Sequence, residues 1–192
     1  MPPARWASTK PARPRSWPDA VRLAALACAL AFAPLAARAD FAGRVVGVVD
    51  GDTLTILDGS RQVRVRLWGI DAPERGQPWS SRSRVALAAR AMHREARVAT
   101  RGTDGYGRTL ARVVVDGVDL GDAQLADGLA WVYRRYSHDR AMLALEEGAR
   151  AARRGLWSLT DPEPPWEWRA RGAQARTAVP RAKAPADASP AP

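Results

Sequence analysis

Residues 44–67 read RVVGVVDGDTLTILDGSRQVRVRL, and the order of apolar and polar residues in this stretch is typical of β-strands. Valines crowd its beginning, and polar and apolar residues alternate through its middle and end. Asp58-Gly59 marks a turn between the second and third strands. In the third strand the apolar residues share one face, and Arg64 and Arg66 share the other. The predicted strands are residues 44–49, 53–57 and 62–67.

The residues that follow alternate between helical and extended patterns. Predicted helices cover 81–92, 120–127 and 139–154, and predicted extended segments cover 94–100, 109–115 and 131–133. Val85 and Ala88 share one face of the first helix with Ala89 and Met92. Gly128 and Gly155 stand where left-handed caps end helices. Five short strands with about three helices predict an α+β protein, a five-stranded Greek-key barrel of the OB type, although another α+β arrangement fits the same pattern.

The ends of the chain differ in composition from its middle. Residues 1–39 carry a basic stretch, an apolar run and an Ala37-Arg38-Ala39 cleavage pattern, which together predict a signal peptide. An uncleaved membrane anchor is the alternative, but the apolar run is short for a bilayer. Residues 170–192 are rich in Ala, Pro and basic residues, which predicts a disordered tail. The folded domain is therefore expected at 40–169, in a monomer that is secreted or periplasmic and has no stable membrane association after cleavage.

The charge of the chain favours a polyanionic partner. Its formal net charge is +10, from 30 basic and 20 acidic residues. Such a balance attracts nucleic acid, although a solvated arginine-rich surface gives the same count. The single cysteine, Cys28, lies in the predicted signal peptide, so the exported protein has no disulfide. His93 and His138 lack metal-ligand spacing, so we read both as structural or surface residues.

Three short clusters carry the residue types needed to hydrolyse a phosphate ester. They are Asp50-Gly51-Asp52-Thr53, the stretch from Arg66 through Asp71-Ala72-Pro73-Glu74, and Asp104-Gly105-Tyr106-Gly107-Arg108. Each cluster alone also fits an ordinary turn. Taken together, they supply hard oxygen ligands, a proton acceptor and two guanidinium groups.

The candidate roles follow from side-chain chemistry. The carboxylates of Asp52 and Asp71, with the backbone carbonyl of Ala72, suit Ca²⁺ or another hard cation rather than Zn²⁺. Glu74 lies three residues beyond Asp71 and is placed to activate water as a general base. Arg66 and Arg108 carry the planar fork that matches a phosphate. This set predicts metal-assisted attack of water on a phosphodiester.

These clusters resemble the staphylococcal nuclease family. The resemblance extends from about Phe41 to Trp168 and includes the later blocks Gly128–Val132 and Arg154–Trp157. It implies an OB-type barrel and calcium-dependent endonuclease activity on DNA and RNA. Calcium is implied at Asp52, Asp71 and the Ala72 carbonyl, and catalytic roles are implied for Arg66, Glu74 and Arg108.

Further roles and one alternative come with the resemblance. Asp50 is implied close to the metal, outside its direct ligands, and Tyr106, Tyr133 and Tyr136 are candidates to pack against a base or sugar. The tyrosines fit equally well as packing residues. The alternative function is a non-catalytic nucleic-acid-binding module of the same fold. Retention of both carboxylates, the glutamate and both arginines favours the enzyme.

Overall fold

The strands predicted from residues 44–67 form one side of a barrel in the computed structural model, which describes residues 40–178. They are β1 (Phe41–Val48), β2 (Thr53–Asp58) and β3 (Arg61–Leu67). Strand β2 pairs antiparallel with both neighbours. Val65 is fully buried and Arg64 is exposed, so the alternation along β3 separates core from surface as predicted.

Two further strands close the barrel. They are β5 (Glu95–Thr103) and β6 (Thr109–Val115), which pair antiparallel with each other. Strand β1 pairs antiparallel with β5, and β6 returns to pair in parallel with β3. The closed order β3-β2-β1-β5-β6 leaves no free edge among these five strands. It confirms the prediction of a five-stranded OB-type barrel in an α+β protein.

Three two-residue strands lie outside the barrel closure. They are β4 (Ile70–Asp71), β7 (Val118–Asp119) and β8 (Trp131–Val132). Of these, the sequence predicted only the extended piece at 131–133. Strand β4 pairs with β8, with Asp71 opposite Trp131. This pairing fixes the backbone of a candidate metal ligand at the end of β3.

Four α-helices of residues 40–178 pack around the barrel. They are α1 (Ser80–Ala91), α2 (Leu120–Ala126), α3 (Arg140–Ala151) and α4 (Pro165–Ala178), and a 3₁₀-helix covers Gly155–Ser158. The side chains of Asp119 and Asp139 accept backbone N–H groups at the starts of α2 and α3, which satisfies donors that a helix start leaves free. None of the helices in residues 40–178 is long and apolar enough to cross a membrane.

The predicted buried face of α1 is wrong. The helix buries Ser83, Leu87 and Ala91, whereas Val85 is 57% exposed. Ser83 is buried because its hydroxyl donates to the carbonyl of Leu129 and accepts from the amide of Gln124. Tertiary hydrogen bonds therefore rotate the helix away from the face that apolar spacing favoured.

The predicted disorder from residue 170 is not observed through Ala178, where α4 continues as a helix. In the first turn of this helix, Trp166 joins a cluster with Trp131 and Trp157 and stacks on Tyr133 at 5.7 Å between ring centroids. The tryptophans thus attach the C-terminal segment to the barrel. The predicted signal peptide and residues 179–192 lie outside the described residues.

Candidate active site

A buried network of charges lies where β2 begins and β3 ends. Nη1 of Arg66 donates to Oδ1 of Asp52 at 2.8 Å, and Nη2 donates to Oδ1 of Asp71 at 2.6 Å. Both carboxylates are almost fully buried. The other oxygen of Asp52 accepts the backbone N–H of Ala72 at 2.8 Å. The structure therefore brings Asp52, Arg66, Asp71 and Ala72 together, although 20 residues separate Asp52 from Ala72.

The electrostatics of this network show an excess of negative charge. Burial raises the pKa of Asp52 to about 7; Arg66 opposes the rise, while Asp50 and Asp71 add to it. Burial alone would lower the pKa of Arg66, but Asp52 and Asp71 raise it. Asp50 also accepts the backbone N–H of Asp52 at 3.0 Å. Arg66 thus only partly offsets the burial of Asp52 beside Asp50 and Asp71, and added positive charge would favour the ionised form of Asp52.

Glu74 lies on the loop that follows β4. Gln77 holds this loop, because its side-chain oxygen accepts the N–H of Glu74 and its amide donates to the carbonyl of Glu163 at 2.5 Å. The carboxylate of Glu74 accepts from Nη1 of Arg169 at 2.6 Å. Nη2 of Arg169 donates to Oδ2 of Asp71 at 2.8 Å. Arg169 therefore bridges the candidate general base and a candidate metal ligand.

Arg108 lies in the turn just before β6. Asp104 holds it by accepting its Nε at 2.7 Å and its backbone N–H at 3.0 Å. The N–H of Tyr106 also donates to Asp104, so this carboxylate organises the turn around itself. The parallel pairing of β6 with β3 places Arg108 near the strand that carries Arg66. The two candidate phosphate ligands thus come from adjacent strands.

An open cavity of about 780 Å³ joins these groups. Asp50, Arg66, Glu74, Arg108 and the three candidate tyrosines, Tyr106, Tyr133 and Tyr136, all line it. Tyr106 is 88% exposed, whereas Tyr133 packs between Tyr136 and Trp166. A flexible polymer strand has access to such a cavity, and exposed rings at its rim suit base stacking.

The donor set fits a hard cation. Asp52 and Asp71 present carboxylate oxygens from a firmly held backbone, with Asp50 and Glu74 close by, and residues 40–178 contain no cysteine. In the described part of the chain, no three acidic, histidine or cysteine side chains are arranged as a ready cation cage. The reason is visible: Arg66 links Asp52 to Asp71, and Arg169 links Asp71 to Glu74.

Two residues of the site were missed from the sequence. Asp104 was part of a quoted cluster but was given no role. Arg169 was one arginine among many near the predicted end of the domain, 95 residues from Glu74 along the chain. Trp166 and Trp168, close to Arg169 along the chain, were the one available signal, since large aromatic side chains favour burial against a core.

Comparison with known proteins agrees with the fold. A family model described as "Staphylococcal nuclease homologue" matches residues 64–159. A protein named "Uncharacterized endonuclease" from Escherichia coli O157:H7 is 41% identical over 134 residues, covering 69% of this chain and 88% of the relative. The micrococcal nuclease of Shigella flexneri is 39% identical over 142 residues, covering 68% and 82%. Protein ParB of Escherichia coli is 41% identical over 158 residues, covering 76% and 88%.

The fold and the site thus define the class of protein: it is an OB-type barrel protein whose candidate site combines carboxylates and arginines. The family model covers most of β3 and all of β5 and β6, and it includes the second and third of the clusters from which the site is built. The chain belongs to the staphylococcal nuclease family.

Proposed function

We propose that this protein is a calcium-dependent endonuclease that hydrolyses phosphodiester bonds in both DNA and RNA. The observation that carries the proposal is that Arg66, Glu74 and Arg108 line one cavity, and that Arg66 donates to the buried carboxylates of Asp52 and Asp71. Relatives named endonuclease and micrococcal nuclease support the reaction class.

The cation would be held by Asp52 and Asp71, with the carbonyl of Ala72 as a further ligand. When bound, Ca²⁺ supplies positive charge that polarises a phosphate oxygen and balances the buried carboxylates. The raised pKa of Asp52 supports this assignment. A hard cation binds ionised carboxylates, so a bound Ca²⁺ would favour the charged form that burial disfavours.

The side chains of the protein supply the remaining chemistry. Glu74 accepts a proton from the attacking water, since it is half-buried at the cavity wall beside the cation ligands. Arg66 and Arg108 approach the phosphate from adjacent strands, and their forked donors match the charge that builds on its oxygens. Asp104 positions Arg108, so the guanidinium does not have to be ordered when substrate binds.

The substrate class follows from the rim of the cavity. Tyr106 and Tyr136 offer exposed rings, which stack on any base and do not distinguish a ribose from a deoxyribose, while Tyr133 packs against Tyr136 and Trp166. Arg64 adds positive charge to the same wall. This combination favours broad activity on DNA and RNA.

The proposal is tested with purified protein and three substrates: single-stranded DNA, duplex DNA and RNA. Each is incubated with Ca²⁺, with Mg²⁺ or with EGTA, and cleavage is followed on gels. We expect internal cleavage with Ca²⁺ and none with EGTA. Glu74→Gln should lower the rate by roughly 10²- to 10⁴-fold, which is the usual contribution of a general base.

Two outcomes would contradict the assignment. Cleavage that persists in EGTA would show that the reaction needs no Ca²⁺. Unchanged cleavage by Glu74→Gln would show that Glu74 is not the general base. Binding of all three substrates without cleavage under any metal would instead support the non-catalytic nucleic-acid-binding module. Denaturation curves for each variant check that the fold is retained.

We also propose that the protein acts outside the cytoplasm, either secreted or periplasmic. The support is the signal-like pattern of residues 1–39. Expression of the full chain in a Gram-negative host, followed by fractionation and intact-mass analysis, should yield a product that begins at Asp40. A full-length product held in the membrane fraction would show the alternative, an uncleaved anchor.

A further inference from the structure

Helix α4 contributes a guanidinium group to the candidate cation site. Nη1 of Arg169 donates to Glu74 at 2.6 Å, and Nη1 and Nη2 reach Asp71 Oδ1 and Oδ2 at 3.2 and 2.8 Å. Asp71 and Glu74 raise the pKa of Arg169 although burial opposes them. Arg169 lies beyond residue 159, where the family match ends. It is therefore an addition to the site from outside the matched region.

This contact leaves Asp71 with both carboxylate oxygens engaged. Arg66 and Arg169 both donate to Oδ1, and Arg169 also donates to Oδ2. The side chain of Asp71 is only 1% exposed, so it has no spare oxygen facing water. A cation that takes Asp71 as a ligand must therefore displace one of the two guanidinium groups.

Arg169 is the group that is easier to displace. Its side chain is 40% exposed, compared with 15% for Arg66. Arg66 also donates to the buried Asp52, so its departure would leave a second carboxylate without its partner. A guanidinium that swings from Asp71 into the open cavity regains water at little cost.

We propose that Arg169 is a positioning residue of the cation site. It holds Asp71 and Glu74 side by side while the site is cation-free, and it yields Asp71 to the divalent cation. The inference rests on the proposed function, because it takes Asp71 as a cation ligand. Arg169 thus keeps the carboxylates from repelling each other, and it sets the affinity with which a cation replaces it.

The exchange does not require helix α4 to leave the barrel. Gln77 holds the preceding segment through the carbonyl of Glu163, and Trp166 stacks on Tyr133. These contacts involve neither Asp71 nor Arg169. Only the side chain of Arg169 has to move, so the loop that carries Glu74 stays in place when the cation binds.

Calcium titration calorimetry on the full chain tests the proposal through affinity, independently of catalysis. The Arg169→Gln variant should bind Ca²⁺ about 10-fold more tightly than the unaltered protein, because the substitution removes a competing positive charge. The same variant should melt at a lower temperature than the unaltered protein in EGTA, because two buried or half-buried carboxylates lose their partner. In saturating Ca²⁺ that difference should disappear. A purely structural residue would lower stability under both conditions and leave affinity unchanged or weaker.

Two further variants control for charge and for folding. Arg171→Gln removes the same charge from the same helix, but Arg171 pairs with Glu163 and not with the site. The Ca²⁺ affinity of this variant should therefore stay within about twofold of that of the unaltered protein. Arg169→Lys keeps the charge but loses the fork that spans Asp71 and Glu74, so its affinity should fall between those of the unaltered protein and Arg169→Gln. This variant also serves if Arg169→Gln fails to fold.

Each result separates this inference from the nuclease assignment. Equal Ca²⁺ affinity in the unaltered protein, Arg169→Gln and Arg169→Lys would overturn the role of Arg169 even if nucleic acid is cleaved normally. Weaker binding by Arg169→Gln would overturn it too, and so would the absence of any Ca²⁺ binding. If Arg169→Gln binds Ca²⁺ more tightly but the unaltered protein cleaves no nucleic acid, the role of Arg169 stands and the nuclease assignment is wrong.

Discussion

At the scale of single residues, the site is built from side chains that hold one another. Arg66 links Asp52 to Asp71, Arg169 links Asp71 to Glu74, and Asp104 holds Arg108. Such mutual pairing satisfies buried charges that would otherwise destabilise the fold. It also means that removing one member leaves another without its partner.

Asp104 provides a residue-scale test of positioning. We expect Arg108→Ala to lower kcat/KM for DNA cleavage by about 10²- to 10³-fold, the typical loss when one donor to developing charge is removed. Asp104→Asn should cost about 10-fold, because Arg108 remains but loses its charged partner at Nε. The double variant should be no worse than Arg108→Ala alone.

Asp116→Asn is the matched control for this series. Asp116 pairs with Arg94 at 2.7 Å, and both are exposed. Its loss should leave cleavage unchanged. Full additivity between Asp104→Asn and Arg108→Ala would show that Asp104 acts on its own and not through the arginine.

At the scale of elements, the helix ends show which local signals were sufficient. Helix α2 ends at a left-handed Gly128, as predicted, and the N–H of Leu129 returns to the carbonyl of Gln124. Helix α3 instead ends at Ala151, and the left-handed position is taken by Arg153. Gly155, the predicted cap, begins the 3₁₀-helix.

The role of Gly155 is close contact with α2. The N–H of Leu156 donates to the carbonyl of Gly128 at 2.8 Å, and a Cβ on Gly155 would lie 2.1 Å from that oxygen. Gly155→Ala should therefore destabilise the protein by more than the ~1–2 kcal/mol that a left-handed alanine costs. Urea denaturation followed by tryptophan fluorescence measures the difference.

Gly59→Ala is the matched control for that measurement. Gly59 has φ +59°, close to the +55° of Gly155, but a Cβ there meets nothing within 4 Å. Gly59→Ala should therefore lower the free energy of unfolding only by the ~1–2 kcal/mol that a left-handed alanine costs. If both variants lose the same stability, the contact between Gly155 and Gly128 is not a significant constraint.

At the scale of the whole molecule, closure of the barrel gathers distant clusters. The parallel pairing of β3 with β6 brings the third cluster beside the second. The pairing of β4 with β8 holds Asp71 opposite Trp131. The chain then returns through α4 to add Arg169. The site therefore depends on the complete fold, from β2 to the C-terminal helix.

Net charge gives a prediction at this scale. A chain of formal charge +10 should bind nucleic acid with strong salt dependence. If about three arginines neutralise phosphates, affinity for duplex DNA should fall roughly 40-fold between 50 and 200 mM salt. Fluorescence anisotropy with the Glu74→Gln variant and Ca²⁺ measures binding without cleavage.

The contradicting result is a flat salt profile. It would mean that phosphate contacts contribute little and that stacking dominates binding. The melting temperature over the same salt range serves as the control, since a salt-induced change in folding would mimic weaker binding.

The sequence by itself determined the barrel strands, the family and the three clusters that compose most of the site. It could do so because strand alternation, turns such as Asp58-Gly59 and the spacing from Arg66 to Glu74 are local properties. A period of two residues places Val65 and Arg66 on opposite faces of β3 without reference to any other segment.

The tertiary structure alone decided the buried face of α1, the end of α3, the continuation of α4 and the place of Arg169. Each depends on a partner that is distant along the chain: Ser83 on Leu129, Gly155 on Gly128, and Arg169 on Asp71 and Glu74. Local propensities are worth a few tenths of a kcal/mol per residue, so one buried hydrogen bond or ion pair overrides them. Such pairings exist only after the barrel has closed.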